Sequence, residues 1–420
     1  MKLGRKSLSV VGVLCASALA LSACSPGGGP TPASPQGSAP TTSAPSTDEK
    51  IPPKQLTTAL LFSPEHWQDE AVASYAEEVG RLTDGAIGFD FYYGDALLKA
   101  ADISGGLRDG VADIGVTIFA YNPAEFPIGQ WSSLLAHLQD PRPVAGVLQA
   151  VGTTLEWSLL NQEVLAEMDG QGLYPLTGRI MIAHTYALLC KNDVTSMADA
   201  KGLRVRAGGQ PWAGELESLG MVPTVLATAE TYEGLQRGVI DCSLNPPGDL
   251  KDLGLWDVAT NVIEGPFSGA SGFGLNMGKD AWEELSPAAQ DAMREALPAY
   301  FEALYGGWVE EQYAFWVGSA ERGMTVHTMS DDMLGAIKSH QDQVVATLVE
   351  QAPAGLADPQ ALLDDYQRLN DKWLGIVEKL GYADQDNWAD WVAARPNGPD
   401  VDLGPWVQAL EDEIFSKQAR

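Results

Sequence analysis

The segment GLQRGVIDCSL, Gly234–Leu244, repeats a pattern already present in GLRDGVADIGV, Gly106–Val116. In each segment a Gly-Leu pair is followed by a second glycine, of the kind that ends a helix, and then by a strand pattern that carries an aspartate. A helix that passes directly into a strand is typical of α/β architecture. The two copies therefore predict two α/β lobes whose strand ends face a shared cleft.

The sequence around these segments supports the same architecture, because short alternating apolar runs are separated by apolar residues at helical spacing. In the first half the order strand, helix, strand, helix, strand predicts a parallel sheet. The predicted strands are 54–62, 86–93 and 111–119 in the first half, and 181–190, 202–206, 222–227 and 238–244 in the second. The predicted helices are 71–82, 96–110, 212–219 and 228–235, followed by helical sequence from 279 to 348 and from 359 to 380.

The first 23 residues predict an export signal. A basic start is followed by an apolar run, Leu8–Leu21, that is too short for a permanent membrane span. The run ends in LSAC, the pattern of bacterial lipoprotein processing, so cleavage before Cys24 would leave a thiol that carries diacylglycerol. The alternative is an ordinary signal peptide with a chance cysteine.

Residues 24–50 consist largely of Pro, Gly, Ser, Thr and Ala, a composition that cannot bury enough apolar surface to fold. They predict a disordered tether after the lipidated cysteine. No later apolar run approaches membrane-spanning length, so the lipid on Cys24 is the expected attachment to the outer face of the cell membrane.

The chain is strongly acidic, with 26 basic and 56 acidic residues and a formal net charge of −30. Removal of residues 1–23 takes away three positive charges and leaves −33. This charge argues against nucleic acid and anionic membrane surfaces as partners of the folded part, and it also favours solubility outside the cell. An acidic protein that binds an anion must place its few cations deliberately.

Two cysteines, Cys190 and Cys242, remain after Cys15 leaves with the signal and Cys24 takes the lipid. In an oxidising compartment they either form a disulfide or stay as free thiols, and spacing alone leaves both open.

Several stretches resemble the solute-binding proteins of tripartite ATP-independent periplasmic (TRAP) transporters, the DctP-like family, here in a lipoprotein form. They are LTDGAIGFDFYYGDALL, LRDGVADIGV, KGLRVRAGG, LATAETYEGLQRGVIDCSLNP and DAWEELSPAAQ, and they lie collinearly within about residues 54–350. The resemblance implies a two-lobed periplasmic-binding fold, type II-like, with hinge strands and a long connecting helix.

The same resemblance implies a function. Such a receptor closes on a small organic anion and delivers it to the permease subunits of a TRAP transporter, and we expect it to act as a monomer. The implied organisation is a first lobe at 51–175 completed by C-terminal segments, a second lobe at 176–278, hinge-spanning helices at 279–350 and a helical extension at 351–420.

The resemblance also assigns ligand-binding residues. The family's carboxylate-binding arginine corresponds to Arg206, at the end of the GLRVR strand, and a frequent family asparagine corresponds to Asn245. A guanidinium offers a rigid fork of donors that matches a carboxylate, and Gly208 and Gly209 let a ligand approach the backbone. Arg204 is expected at the surface. The alternative for Arg206 is an ordinary salt bridge to one of the many acids.

One feature departs from the family pattern. A second arginine is frequent on the strand before KGL, but here the position falls near Tyr186 or Ala187, and Arg179 lies too far upstream to replace it. A single cation suggests a ligand with one carboxylate, or a bulky and partly apolar one. Aromatic candidates for the pocket are Phe119, Trp131, Tyr186 and Trp212, each of which is alternatively a core residue.

Two further features have two readings each. His66 follows the first strand where the family places pocket loops, or it is an exposed histidine at a helix start. The C-terminal tryptophans Trp388, Trp391 and Trp406 predict extra helices packed on the lobes, with partner binding as the alternative.

Enzyme motifs are not evident. The chain contains no HExxH, CxxC or G-x-S-x-G, and Met277 stands where a dinucleotide fingerprint needs its third glycine. We therefore expect a binding protein without metal or cofactor. The alternative function is a substrate-binding lipoprotein of an ATP-driven (ABC) importer for a sugar or another non-anionic solute.

Overall fold

Two mixed β-sheets form the framework of the molecule. The computed structural model describes residues 50–180, 186–209, 212–249, 253–269 and 272–418. The predicted signal segment, Cys24, the predicted tether before residue 50 and the first half of the predicted strand at 181–190 lie outside the described residues.

Strands and helices are interspersed up to residue 346, and the described elements after it are helices. The strands are β1 (Lys54–Ala59), β2 (Ile87–Tyr92), β3 (Ile114–Ile118), β4 (Leu173–Pro175), β5 (Tyr186–Cys190), β6 (Arg204–Ala207), β7 (Val222–Val225), β8 (Cys242–Asn245), β9 (Asn261–Phe267), β10 (Phe273–Gly278) and β11 (Thr325–Thr328). The α-helices are α1 (Trp67–Leu82), α2 (Ile103–Arg108), α3 (Pro127–Ser132), α4 (Ala145–Leu160), α5 (Gln162–Gly170), α6 (Met197–Ala200), α7 (Trp212–Ser218), α8 (Thr231–Gln236), α9 (Lys279–Glu283), α10 (Pro287–Glu295), α11 (Leu297–Glu321), α12 (Asp331–Ala346), α13 (Pro359–Lys379), α14 (Trp388–Ala393) and α15 (Gly404–Glu413).

The first sheet has the order β2-β1-β3-β10-β4. Strands β1, β2 and β3 run parallel, as predicted, but β10 is antiparallel to both β3 and β4. The prediction of a parallel sheet is therefore confirmed for β1, β2 and β3 but wrong for the sheet as a whole. The antiparallel strand β10 comes from a later part of the chain, after strands of the second sheet. The predicted helix at 96–110 forms an α-helix only over α2, preceded by 3₁₀ turns.

The second sheet has the order β11-β9-β5-β8-β6-β7. Strands β5 and β8 are antiparallel neighbours, and Cys190 lies directly opposite Cys242 in their register. A disulfide joins these two cysteines, whose Cα atoms are 4.2 Å apart. The edge strand β11 was not predicted, because its four residues are largely exposed and lack a clear alternating pattern.

Helix α11 connects the two lobes. Its first half, from Leu297 to Trp308, is buried in the same core cluster as Tyr75 of α1 in the first lobe, whereas Phe315 near its end packs with Leu235 of α8 in the second lobe. The described part of the chain therefore has the two-lobed periplasmic-binding architecture with a long connecting helix. The lobe boundaries stated above stay predictions.

The C-terminal helices pack on the first lobe. Trp373, Trp391 and Trp406 are each 0% exposed. Trp373 of α13 lies against Gly152 of α4, where an added Cβ would come within 2.2 Å of the indole ring. Glycine at this position thus allows the two helices to approach closely. These tryptophans therefore contribute to the core.

Among the described residues, no helix is long and apolar enough to cross a membrane.

Candidate ligand-binding site

A cavity of about 640 Å³, its open mouth included, lies between the two lobes. From the first lobe it is lined by residues at the start of α1 and after β3, and from the second by the ends of β5, β6 and β8. The lining residues include Phe62, His66, Trp67, Ile118, Tyr121, Tyr186, Arg206, Gly208, Trp212, Thr228 and Asp249.

Among the described residues, Arg206 is the side chain that brings a positive charge to this cavity, and it is only 2% exposed. Its Nε donates to the Leu226 carbonyl at 3.0 Å, and its terminal nitrogens donate to the Leu244 carbonyl at 3.2 Å and to Thr228 Oγ1 at 2.9 Å. These bonds use three of the five N–H groups of a guanidinium. No carboxylate of the described residues lies within 4.0 Å of it. A buried charge without a counter-ion is costly, so this arrangement favours an anionic ligand.

Two other arginines differ from Arg206 because each forms an ion pair with a carboxylate of the protein. Arg204, two residues earlier on β6, is exposed and forms a fork to Asp241 with bonds of 3.0 and 2.8 Å. Arg179 is buried, but Glu167 forms an ion pair with it. Both charges are therefore neutralised within the protein, whereas the charge of Arg206 faces the cavity.

The apolar wall of the cavity is built around Trp212 and Tyr186. Their rings are stacked with centroids 4.6 Å apart, and Trp212 Nε1 donates to the Ser268 carbonyl at 2.8 Å. The missing side chain of Gly208 makes this possible, because a Cβ there would lie 2.9 Å from the Trp212 ring. Burial raises the pKa of Tyr186, so its hydroxyl stays protonated at neutral pH.

His66 lies on the wall of the cavity and caps α1. Its Nδ1 accepts a hydrogen bond from the Gln68 N–H at 3.2 Å, and its ring stacks on Phe62 at 3.8 Å. It is 3% exposed, so the alternative of an exposed histidine is wrong. One helical turn on, burial raises the pKa of Asp69 to about 7, although its carboxylate accepts the Phe62 N–H.

Three residues suggested by the sequence do not reach the cavity wall. Phe119 is 1% exposed, packs edge-on against Phe126 and lies 4.2 Å from the Arg179 guanidinium. Trp131 is in a separate core cluster and donates to the Leu348 carbonyl at 2.8 Å. Asn245 is 0% exposed and lies behind the wall. For these three, the structure corrects the expectation of a direct ligand contact.

Asp249 is a residue that the sequence reasoning missed. It lines the cavity, is 7% exposed, and accepts a hydrogen bond from Asn245 Nδ2 at 2.6 Å. Burial raises its pKa to about 6, while the Asn245 hydrogen bond and the charge of Arg206 act in the opposite direction. Its position in the turn directly after β8 was the available signal, because residues that follow a strand end at the edge of a sheet can reach the cleft.

Contacts near Arg206 also link the two lobes. Tyr121 of the first lobe places its hydroxyl 3.5 Å from Thr228 Oγ1 and accepts the Thr228 N–H at 3.4 Å. Thr228 also accepts from Arg206, so the group that contacts the opposite lobe is bonded to the group that faces the ligand. One hydroxyl, that of Thr228, therefore contacts both the opposite lobe and the arginine that faces the cavity.

A comparison with protein-family models identifies residues 59–352 as bacterial extracellular solute-binding protein, family 7, the DctP family. This chain belongs to the DctP family. Members of this family are extracellular solute-binding proteins, and the structural neighbours of the chain are receptors for solutes.

Solved structures share the fold of this DctP-family chain. A marine-metagenome TRAP solute-binding protein in complex with pyroglutamate superposes with a TM-score of 0.64, at 19% identity, over 76% of this chain and 99% of that one. A TRAP solute-binding protein of Bordetella bronchiseptica with bound mandelate also has a TM-score of 0.64, at 20% identity and the same coverage.

The alignments with curated relatives cover a smaller share of both chains. The ectoine-binding periplasmic protein TeaA of Halomonas elongata is 28% identical over 181 residues, 41% of this chain and 51% of the relative. The C4-dicarboxylate-binding periplasmic protein DctP of Rhodobacter capsulatus is 23% identical over 242 residues, 56% of this chain and 68% of the relative. Over the first three relatives the alignments span 66%, 51% and 61% of their lengths.

Proposed function

We propose that this protein is an extracytoplasmic receptor that captures one small organic carboxylate between its lobes and delivers it to a TRAP-type permease. The observation that carries the proposal is Arg206, a buried guanidinium that faces the cavity and is not ion-paired within the described residues. Its two remaining N–H groups, one on each terminal nitrogen, match the two oxygens of a carboxylate.

The rest of the cavity favours a ligand with an apolar part. The rings of Tyr186, Trp212 and His66 line the same space, and the described residues that line it include one arginine, which provides charge for one carboxylate. Family membership favours this reading over a receptor for an ATP-driven importer. Solved relatives bind acids of this kind, pyroglutamate and mandelate among them.

A ligand screen by thermal unfolding tests the proposal. The panel consists of pyroglutamate, mandelate, galacturonate, succinate and ectoine, with glucose and glycerol as neutral controls. At one hundred times its Kd, a ligand of the folded state is expected to stabilise it by about 2.7 kcal/mol. At least one acid is expected to raise Tm. A shift with the neutral compounds and with none of the acids would contradict carboxylate capture.

We also propose that the mature protein begins at Cys24 and is held on the outer face of the membrane by lipid on that thiol, with residues 25–50 as the tether. The support is the LSAC pattern and the tether composition. Mass spectrometry of protein extracted from membranes is expected to show an N-terminal diacylglyceryl cysteine. Release of Cys24→Ser protein from the membrane fraction is expected too, and retention of that variant would argue against the anchor.

A further inference from the structure

A buried acid shares the cavity with Arg206, although an acid would repel the carboxylate that the arginine attracts. Asp249 is 7% exposed and is one of the residues that line this space. A buried carboxylate without partners for its oxygens is unfavourable, so natural structures satisfy such groups. The question is what satisfies this one.

The protein satisfies one of the two oxygens. Asp249 Oδ2 accepts from Asn245 Nδ2 at 2.6 Å, and Asn245 Oδ1 in turn accepts from the Ser243 hydroxyl. This chain of bonds fixes the orientation of the Asn245 amide and, through it, of the Asp249 carboxyl. Across the described residues no protein donor is found for Asp249 Oδ1.

The nearby charges do not neutralise Asp249. Arg206 is close enough to lower its pKa, but the two do not form an ion pair within 4.0 Å in the described residues, and Glu311 of α11 raises the pKa. Tyr186, His66 and Tyr121 line the same space. The cavity thus holds a cationic group and an acidic group that are held apart, each with hydrogen-bonding capacity left over.

We infer that Asp249 is a second point of ligand recognition, and that the ligand carries a hydrogen-bond donor, an N–H or O–H group, in addition to its carboxylate. This inference rests on the proposed function, because Arg206 must hold the carboxylate for Asp249 to meet the donor. A zwitterionic amino acid, a lactam acid or a hydroxy acid has this pattern. A dicarboxylate does not, since its second carboxylate would face Asp249.

Matched acid pairs test the inference by calorimetry on the full-length mature protein. Each pair has one member with a donor and one without: proline and cyclopentanecarboxylate, pyroglutamate and 3-oxocyclopentanecarboxylate, mandelate and phenylacetate, with succinate added. In the wild-type protein the donor-bearing member of at least one pair is expected to bind at least about thirty-fold more tightly than its partner, because the partner leaves Asp249 unsatisfied.

Variants at Asp249 identify the residue responsible. In Asp249→Leu the preference within the pair is expected to fall below about threefold, because the acceptor is gone. Asp249→Asn keeps the shape of the side chain and serves if the leucine variant does not fold. In Asp249→Asn, the affinity preference for the donor-bearing ligand is expected to fall more when the donor is cationic than when it is a hydroxyl. Asp257→Asn, an exposed acid of the same lobe, is the matched control and is expected to bind like wild type.

The pH dependence supplies an independent readout. A cationic donor requires ionised Asp249, whose pKa is about 6, so affinity is expected to fall as pH decreases below 6 and to level off above it. Equal or tighter binding of donor-free acids or succinate would overturn the inference and leave carboxylate capture intact. Failure of every acid to bind would overturn both.

Discussion

Replacement of Arg206 by methionine is expected to weaken carboxylate binding roughly thirty-fold to several-thousand-fold, the cost of truncating one partner of a buried charge pair. Methionine keeps much of the length of the side chain but removes the charge and all of the donors. Arg206→Lys keeps the charge and loses the planar fork, so its affinity is expected to lie between the two. Isothermal titration with the best acid from the screen provides the measurement.

The matched control for Arg206 is Arg204→Met on the same strand. Arg204 is exposed and pairs with Asp241, so its loss is expected to change ligand affinity by no more than about twofold. Because Arg206 also bonds the carbonyls of Leu226 and Leu244, the unfolding midpoint of each ligand-free variant must be measured in parallel. Wild-type affinity in a folded Arg206→Met protein would refute the role of this guanidinium.

Removal of the Cys190–Cys242 disulfide is expected to lower the free energy of unfolding by about 4 kcal/mol, from the entropy of closing a loop of this length. The two cysteines are 52 residues apart in the sequence. For a chain of this size the loss corresponds to a decrease in Tm of about 5 °C. Thermal and urea unfolding of the double variant Cys190→Ala, Cys242→Ala measure it.

The control for the disulfide is the wild-type protein under reducing conditions, which is expected to unfold at a similar midpoint to the double variant. Ligand binding is expected to persist in both, because backbone pairing from Ala187 to Cys190 also holds the register of β5 against β8. An unchanged midpoint in the double variant would show that the cross-link contributes little to stability.

The site shows where sequence reasoning succeeds and where it fails. Arg206, Tyr186, Trp212 and His66 line the cavity, and the first of these was assigned from the resemblance of the GLRVR strand to the DctP-like family. Phe119 and Asn245 do not line it. An aromatic residue that packs in a core and one that faces a ligand have the same local pattern, so only the arrangement of both lobes separates them.

The sequence by itself indicated two α/β lobes and a long helical region after residue 279, because helix-ending glycines and apolar periodicity are local properties of the chain. The resemblance of its motifs to a known family added the position of the key arginine. The tertiary structure alone decided that β10 runs antiparallel in the first sheet. It also decided that Arg179 has a carboxylate partner, whereas Arg206 has none among the described residues. Finally, it placed Asp249 at the cavity, with Asn245 behind it. These features depend on contacts between residues distant in sequence, and the cost of burying a charge is set by what surrounds it in space.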